Sequence, residues 1–271
     1  MCEIMLQGKT LAFHSYKGGT GKTTLISNLA ALYAKDGKTI CLLDFDLYAP
    51  SLSTYFRKTP TYYLNDLLKG DADISDVLVD VSSEIGVDGK LLIGFSSPSK
   101  EDINEIEIKH ELKWQLAAMR RFLAAKNQLF EEKNIDYLLL DTSPGIRYWS
   151  INTLAAADSL FLVMKVSDMD IEGTKRMIKD IYDSLTRFGS KYFLILNKVP
   201  GASPSLDTRL EPDNAAIVDL EKETGSKVVA SIPCFCDVNF NRHEFLSAIK
   251  QPDHLFSKKL IGLAEAIKNE I

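Results

Sequence analysis

The sequence predicts an α/β fold: a mostly parallel, twisted sheet with helices on both faces, of the doubly wound kind. Three observations lead there. Short apolar segments rich in β-branched residues alternate with amphipathic helical stretches from end to end, the pattern of a parallel sheet covered on both faces. Several of these segments end in Gly-rich or acidic turns, at the strand ends where such sheets bind ligands. The chain has 271 residues, 45% hydrophobic and 25% charged, ordinary values for a soluble globular protein long enough to bury a sizeable core. No repeat, low-complexity tract or linker interrupts it, so we read residues 1–271 as a single domain.

The elements follow in order. Leu11 to Ser15 is a strand running into a Gly-rich turn. Lys22 to Ala34 has helical periodicity (Leu25, Leu29, Ala30, Leu32, Tyr33) and stops before Gly37. Thr39 to Leu43 is a strand ending in Asp44-Phe45-Asp46. Leu64 to Lys69 and Ile74 to Val79 are two short helices separated by Gly70-Asp71. Lys90 to Gly94 is a strand. Ile106 to Lys133 reads as one long amphipathic helix, apolar at Leu112, Leu116, Met119, Leu123 and Leu129. Tyr137 to Leu140 is a strand ending at Asp141. Ser159 to Lys165, Tyr192 to Leu196 and Lys227 to Ile232 are further strands. Ile171 to Phe188, Asn214 to Thr224, Phe240 to Ile249 and His254 to Glu270 are further helices. Ala49 to Tyr63, Val81 to Lys90, Ser96 to Glu105 and Pro200 to Pro212 carry the least pattern.

Composition narrows the function. A formal net charge of −5 gives no overall attraction to nucleic acid. Four cysteines (Cys2, Cys41, Cys234, Cys236) in a chain this long do not make a disulfide framework and point to a reducing, cytoplasmic setting. No signal-peptide pattern stands out, and no run approaches the roughly 18 apolar residues of a spanning helix.

The chemistry gathers at the strand ends. After the first strand comes Tyr16-Lys17-Gly18-Gly19-Thr20-Gly21-Lys22-Thr23-Thr24, followed by a helix. Phosphate oxygens need many short N–H contacts. Gly18, Gly19 and Gly21, with Thr20 between them, let the backbone come close, and the helix N-terminus adds its positive dipole end. Lys22 is placed for the β- and γ-phosphates, the Thr23 hydroxyl for Mg, and Thr24 for the α-phosphate. Asp44 and Asp46 end the second strand, where a carboxylate holds Mg through water or orients an attacking water. Leu138-Leu139-Leu140 ends in Asp141, an apolar strand capped by an acid. Asn28 on the first helix is a further candidate, equally readable as a plain helix-surface residue.

The standard phosphate loop has Gly where this chain has Tyr16, and here an extra lysine, Lys17, precedes Gly18-Gly19. This resembles the deviant Walker A signature of the ParA/MinD-type ATPases. The later motifs stand in that family's order: Asp44-Phe45-Asp46, Asp141-Thr142-Ser143-Pro144-Gly145, Asn197-Lys198 and Ile232-Pro233. The resemblance implies an Mg-dependent P-loop ATPase that works as an ATP-gated homodimer. It makes Lys17 the lysine that reaches the partner subunit's ATP, and Lys17, Lys22 and Asp46 the catalytic set. Asp46 polarises the hydrolytic water, and Thr23, Asp44, Asp46 and Asp141 serve the Mg site. Gly145 offers its N–H to the γ-phosphate, Asn197 pairs with the adenine edge, and Pro233 lines the adenine pocket. Arg147 invites an arginine-finger reading that no family motif supports.

Three outputs fit this machinery. One is a partitioning or positioning switch on nucleoid or membrane, although neither the charge nor the final helix favours such a surface. The apolar face of that helix (Leu260, Leu263, Ile267, Ile271) reads as core. A second is metal trafficking through Cys234 and Cys236 paired across a dimer, against the plain reading of two loop thiols. A third is a slow ATP-binding regulator of a protein partner, with the helix Ile106 to Lys133 as a candidate surface. An activating partner is expected in each case.

Overall fold

The computed structural model describes residues 8–108, 112–186, 189–200, 214–239, 241 and 246–271. Eight strands form one sheet: β1 (Lys9–His14), β2 (Thr39–Phe45), β3 (Leu78–Asp80), β4 (Lys90–Gly94), β5 (Tyr137–Thr142), β6 (Ser159–Met164), β7 (Lys191–Val199) and β8 (Val228–Pro233). Their order is β3-β4-β2-β5-β1-β6-β7-β8. Every pairing is parallel except that of the edge strand β3 with β4.

Side chains on a strand alternate between faces, and here both faces are buried. Ala12, Leu138 and Leu140 belong to one core cluster, whereas Leu11, Phe13 and Leu139 belong to the other. The first face is covered by Leu112–Glu131, Tyr148–Ala155 and Asp168–Met177, through Phe122, Leu129, Trp149 and Met177. The second is covered by Lys22–Lys35 and Leu255–Glu270, through Leu25, Leu29, Leu260, Leu263 and Ile267. The final helix thus spends its apolar face on the sheet, as its periodicity predicts. Phe45 of β2 meets Phe122 of the covering helix edge-on at 4.6 Å, and within the sheet Phe13 stacks on its cross-strand neighbour Phe161 at 5.2 Å.

The central strand β1 lies between β5 and β6. From β1 the chain crosses to β2 on one side, and from β5 it crosses to β6 on the other. That reversal opens a crevice at the carboxyl end of β1, where the Gly-rich turn sits.

Several expected boundaries change. The expected helix from Ile106 to Lys133 is observed as Lys100–Ile108 and Leu112–Glu131, with residues 109–111 outside the described set. The first piece starts earlier because the Ser99 hydroxyl accepts the Asp102 N–H at 3.1 Å, an N-cap. The helix expected over Ile74 to Val79 ends at Val77, and Leu78–Asp80 leaves it to pair with β4. Short helices Leu52–Phe56 and Ser82–Ile85, and the longer Tyr148–Ala155, occupy stretches where no helix is expected. The helix expected from Ile171 starts at Asp168, turns π-helical over Ile178–Tyr182 and continues as Asp183–Thr186; Phe188 lies outside the described residues. Of the helix expected from Phe240 to Ile249, Ser247–Lys250 is described as helical; Phe240 and residues 242–245 lie outside. Most of the Pro200 to Pro212 stretch lies outside as well.

Phe122 is fully buried at the centre of the first face. Phe122→Ala should lower the unfolding free energy by about 3–5 kcal/mol, read from urea denaturation. A loss below about 1 kcal/mol would show that Leu112–Glu131 is not pinned to the sheet.

Candidate functional site

The loop from Ser15 to Gly21 links β1 to the helix Lys22–Lys35. Gly19 and Gly21 have φ of 74° and 89°, which glycine alone adopts without strain. A Cβ on Gly21 would lie 2.4 Å from Asn197 Nδ2, so this position also needs the missing side chain. Parallel pairing sets Phe13 beside Asp141 and brings that carboxylate under the loop. Lys22 Nζ donates to Asp141 Oδ1 at 2.8 Å, and Thr23 Oγ1 donates to Asp141 Oδ2 at 2.6 Å. The loop residues Gly18 to Thr24 line a cavity of about 380 Å³ with Asp46, Ala49, Pro144 and Lys198. Lys17 is half-buried at its edge.

The acidic residues occupy distinct places. Asp44 is fully buried and accepts the N–H groups of Asp46 at 3.1 Å and Leu52 at 3.3 Å. Burial first, then the charges of Asp141 and Asp46, push its carboxyl well above the ordinary range. Asp46 accepts the Ser143 hydroxyl at 2.7 Å and the Ala49 N–H at 3.1 Å. Burial raises its pKa, and the Lys22 charge opposes that rise. Among the described residues no three His, Cys, Asp or Glu side chains converge as a direct metal cage. The donor set nevertheless suits Mg, which takes one or two protein oxygens and fills its octahedron with phosphate and water. Crowded carboxylates held above their usual pKa gain from a cation.

The turn after β5 packs against the base of the phosphate loop. Gly145 has φ 77° and gives its N–H to the Ser15 carbonyl at 2.8 Å, so that donor faces the base of the loop. Arg147 stacks its guanidinium 4.4 Å over the Tyr48 ring. It joins the turn to the segment after Asp46 and is not among the residues that line the phosphate cavity.

Beside the loop, Asn197 and Pro233 come together with Gly21, Thr24, Lys198 and Asn239 around a cavity of about 90 Å³. Asn197 is buried, and its Nδ2 donates to the Thr20 carbonyl at 2.7 Å. Asn28 is not a surface residue. It is fully buried, its Oδ1 accepts the Ala248 N–H at 2.9 Å, and its Nδ2 reaches Tyr55 at 3.1 Å, so it ties the first helix to its neighbours. Cys234 accepts a contact from Asn239 Nδ2 at 3.6 Å and Cys236 is exposed, and among the described residues no third ligand joins them.

Sequence reasoning passed over three residues. Ser143 holds Asp46. Lys198, with φ 57°, donates its ammonium to the Gly19 carbonyl at 3.2 Å. His14 is fully buried at the end of β1. Its Nδ1 lies 2.7 Å from Thr142 Oγ1, whose own proton goes to the Phe13 carbonyl; Nδ1 therefore carries the hydrogen. The legible signals were only that Ser143 follows a motif acid and that Lys198 follows Asn197. The place of Tyr16 also has a tertiary reason: its ring fills the space over Gly173, where a Cβ would lie 2.0 Å from Tyr16 Cε1.

Two outcomes follow. Burial, and then the Lys22 charge, lower the His14 pKa from 6.5 to about 3. Between those values the unfolded chain binds the proton and the folded chain does not, so His14 contributes stability above pH 6.5 that is lost as pH falls toward 3. In urea melts the stability gap between wild type and His14→Gln should therefore narrow from pH 7 to pH 5; a constant gap would refute the neutral buried imidazole. Gly173→Ala should cost about 1–3 kcal/mol by overpacking, and Tyr16→Ala should relieve most of it. Additive effects in that double-mutant cycle would show that the two residues do not press on each other.

With this geometry in view, comparison with known proteins is direct. The sequence profile of the AAA domain family AAA_31 matches residues 8–191. The chromosome-partitioning ATPase Soj of Treponema pallidum is 30% identical over 176 residues, 64% of this chain and 64% of that protein; the match thus spans just under two thirds of the relative's length. Among solved structures, the cell division ATPase MinD of Pyrococcus furiosus superposes with a TM-score of 0.75 at 21% identity, covering 97% of this chain and 100% of that one. The septum site-determining protein MinD of Pyrococcus horikoshii, complexed with Mg-ADP, gives 0.73 at 21% identity and 96% of both chains. Profile, relative and fold agree with the loop and the acidic strand ends: the chain belongs to the AAA_31 family, and it is similar to the P-loop ATPases of the ParA/MinD type.

Proposed function

We propose that this chain binds and hydrolyses ATP with Mg and acts as an ATP-gated dimeric switch of the partitioning or positioning kind. The observation that carries this reading is the Lys22–Asp141–Thr23 set beneath a Gly-rich loop, with the Asn197–Pro233 cavity on the other flank of Gly21. A triphosphate and its base find their places side by side.

In this reading the N–H groups of Gly18, Gly19, Thr20 and Gly21 cradle the phosphates, and Thr24 meets the α-phosphate. Lys22 exchanges Asp141 for β- and γ-phosphate oxygens. Thr23 would hold Mg, with Asp44, Asp46 and Asp141 placed to support it through water, and the ion would supply charge to neutralise the phosphates. Asp46, steadied by Ser143, orients the attacking water. Gly145 turns its N–H from Ser15 to the γ-phosphate, so the loop after β5 senses that phosphate. The amide edge of Asn197 and the Pro233 turn select adenine. Lys17 crosses to the ATP of a second copy and closes the dimer.

The braced loops favour slow turnover that an activating protein partner raises. The name of the Treponema relative, a chromosome-partitioning ATPase, supports partitioning among the outputs open to such a switch. Net charge −5 and the burial of Leu260, Leu263 and Ile267 lend no support to a DNA or membrane surface. No helix among the described residues is long and apolar enough to cross a membrane, and a cytoplasmic setting suits the reading.

Light scattering tests the switch. Asp46→Ala should be a dimer with Mg-ATP, a monomer with ADP, and inactive in phosphate release. Wild-type turnover in that variant would remove Asp46 from the water. Lys17→Ala should bind ATP and stay monomeric; an ATP dimer of it would end the role given to Lys17.

A further inference from the structure

Strand register places one more lysine at the loop. β6 pairs with β1 so that Phe161 lies beside Phe13 and Leu162 beside His14. Lys165 follows Met164, the last residue of β6. Its ammonium lies 4.0 Å from the point that a Cβ on Gly19 would occupy.

The neighbouring lysines differ from it. Lys22 is paired with Asp141, and Lys198 donates to the Gly19 carbonyl. Among the described residues no ion pair or hydrogen bond engages the Lys165 ammonium, although the residue is half-buried. A partly desolvated ammonium without a counter-charge is unfavourable until an anion arrives. The anion this crevice is shaped for is a polyphosphate, and lysine is a point-charge binder of phosphate.

We propose that Lys165 is a further phosphate-binding residue that contacts the terminal phosphate of ATP held in its own subunit's loop. This rests on the ATPase reading above and adds to it a residue just after β6, outside the loop and outside the acidic motifs. Lys165 makes the site distinguish ATP from ADP before any dimer forms.

The test is calorimetric binding of Mg-ATPγS and Mg-ADP to the full chain as wild type, Lys165→Gln and Lys165→Arg, each measured both with Lys17 present and with Lys17→Ala, which excludes dimer closure. Loss of one such charged contact should weaken ATPγS by about tenfold in the Gln variant, leave ADP within about twofold, and be largely restored by Arg. An unchanged melting temperature without nucleotide reports an intact fold. Equal weakening of both nucleotides, or no weakening of ATPγS, overturns the proposal. An effect seen with Lys17 present but lost in the Lys17→Ala background moves the contact across the interface and overturns the same-subunit assignment. A parent protein that binds neither nucleotide overturns the ATPase reading itself.

Discussion

The buried pair of Lys22 and Asp141 is the constraint on which the rest of the site depends. The side chains are 7% and 0% exposed. Two charges so far from water gain little net stability from each other, yet removing one partner strands the other at a cost of about 3–5 kcal/mol. The fold therefore has to bring the start of the first helix and the end of β5 together. Thr23 completes the arrangement by donating to the second carboxylate oxygen. The Gly-rich loop is closed between the end of β1, paired beside β5, and the anchored start of the helix, so its shape is set by the fold.

Around that pair the loops brace one another. Ser143 reaches Asp46, Gly145 reaches Ser15, and Arg147 covers Tyr48. Each contact joins segments far apart in the chain. A change in the turn after β5 must therefore disturb both the phosphate loop and the segment after Asp46. Tyr16 extends the coupling further, because its ring lies against Gly173 of the helix Asp168–Met177. The phosphate loop is thereby in packed contact with that helix.

Much of the fold was legible in local pattern. The long helices and central strands carry enough apolar residues at one period to declare themselves, as Leu25 and Leu29 do in the first helix. The short elements did not. Leu78–Asp80 is a strand because β4 offers an edge, and nothing within the three residues says so. Tyr148–Ala155 forms around Trp149, whose ring meets Trp114 at 5.9 Å, a contact from a distant helix. Lys100–Ile108 did carry a local signal in Ser99 and Asp102, hidden within a stretch otherwise poor in pattern.

For the site the division is similar. The sequence alone determined where the phosphate loop lies, which strands end in acids, and in what order the motifs follow, because glycine spacing and strand-end chemistry are local properties. Only the tertiary structure decided the pairings. Lys22 and Asp141 are 119 residues apart, and their meeting depends on β1 lying beside β5. Asn28 proved to be a buried brace, Gly145 faces the loop's base, and Lys165 stands at the loop because β6 runs in register with β1. Such contacts depend on strand order and register, and no local stretch of sequence encodes either.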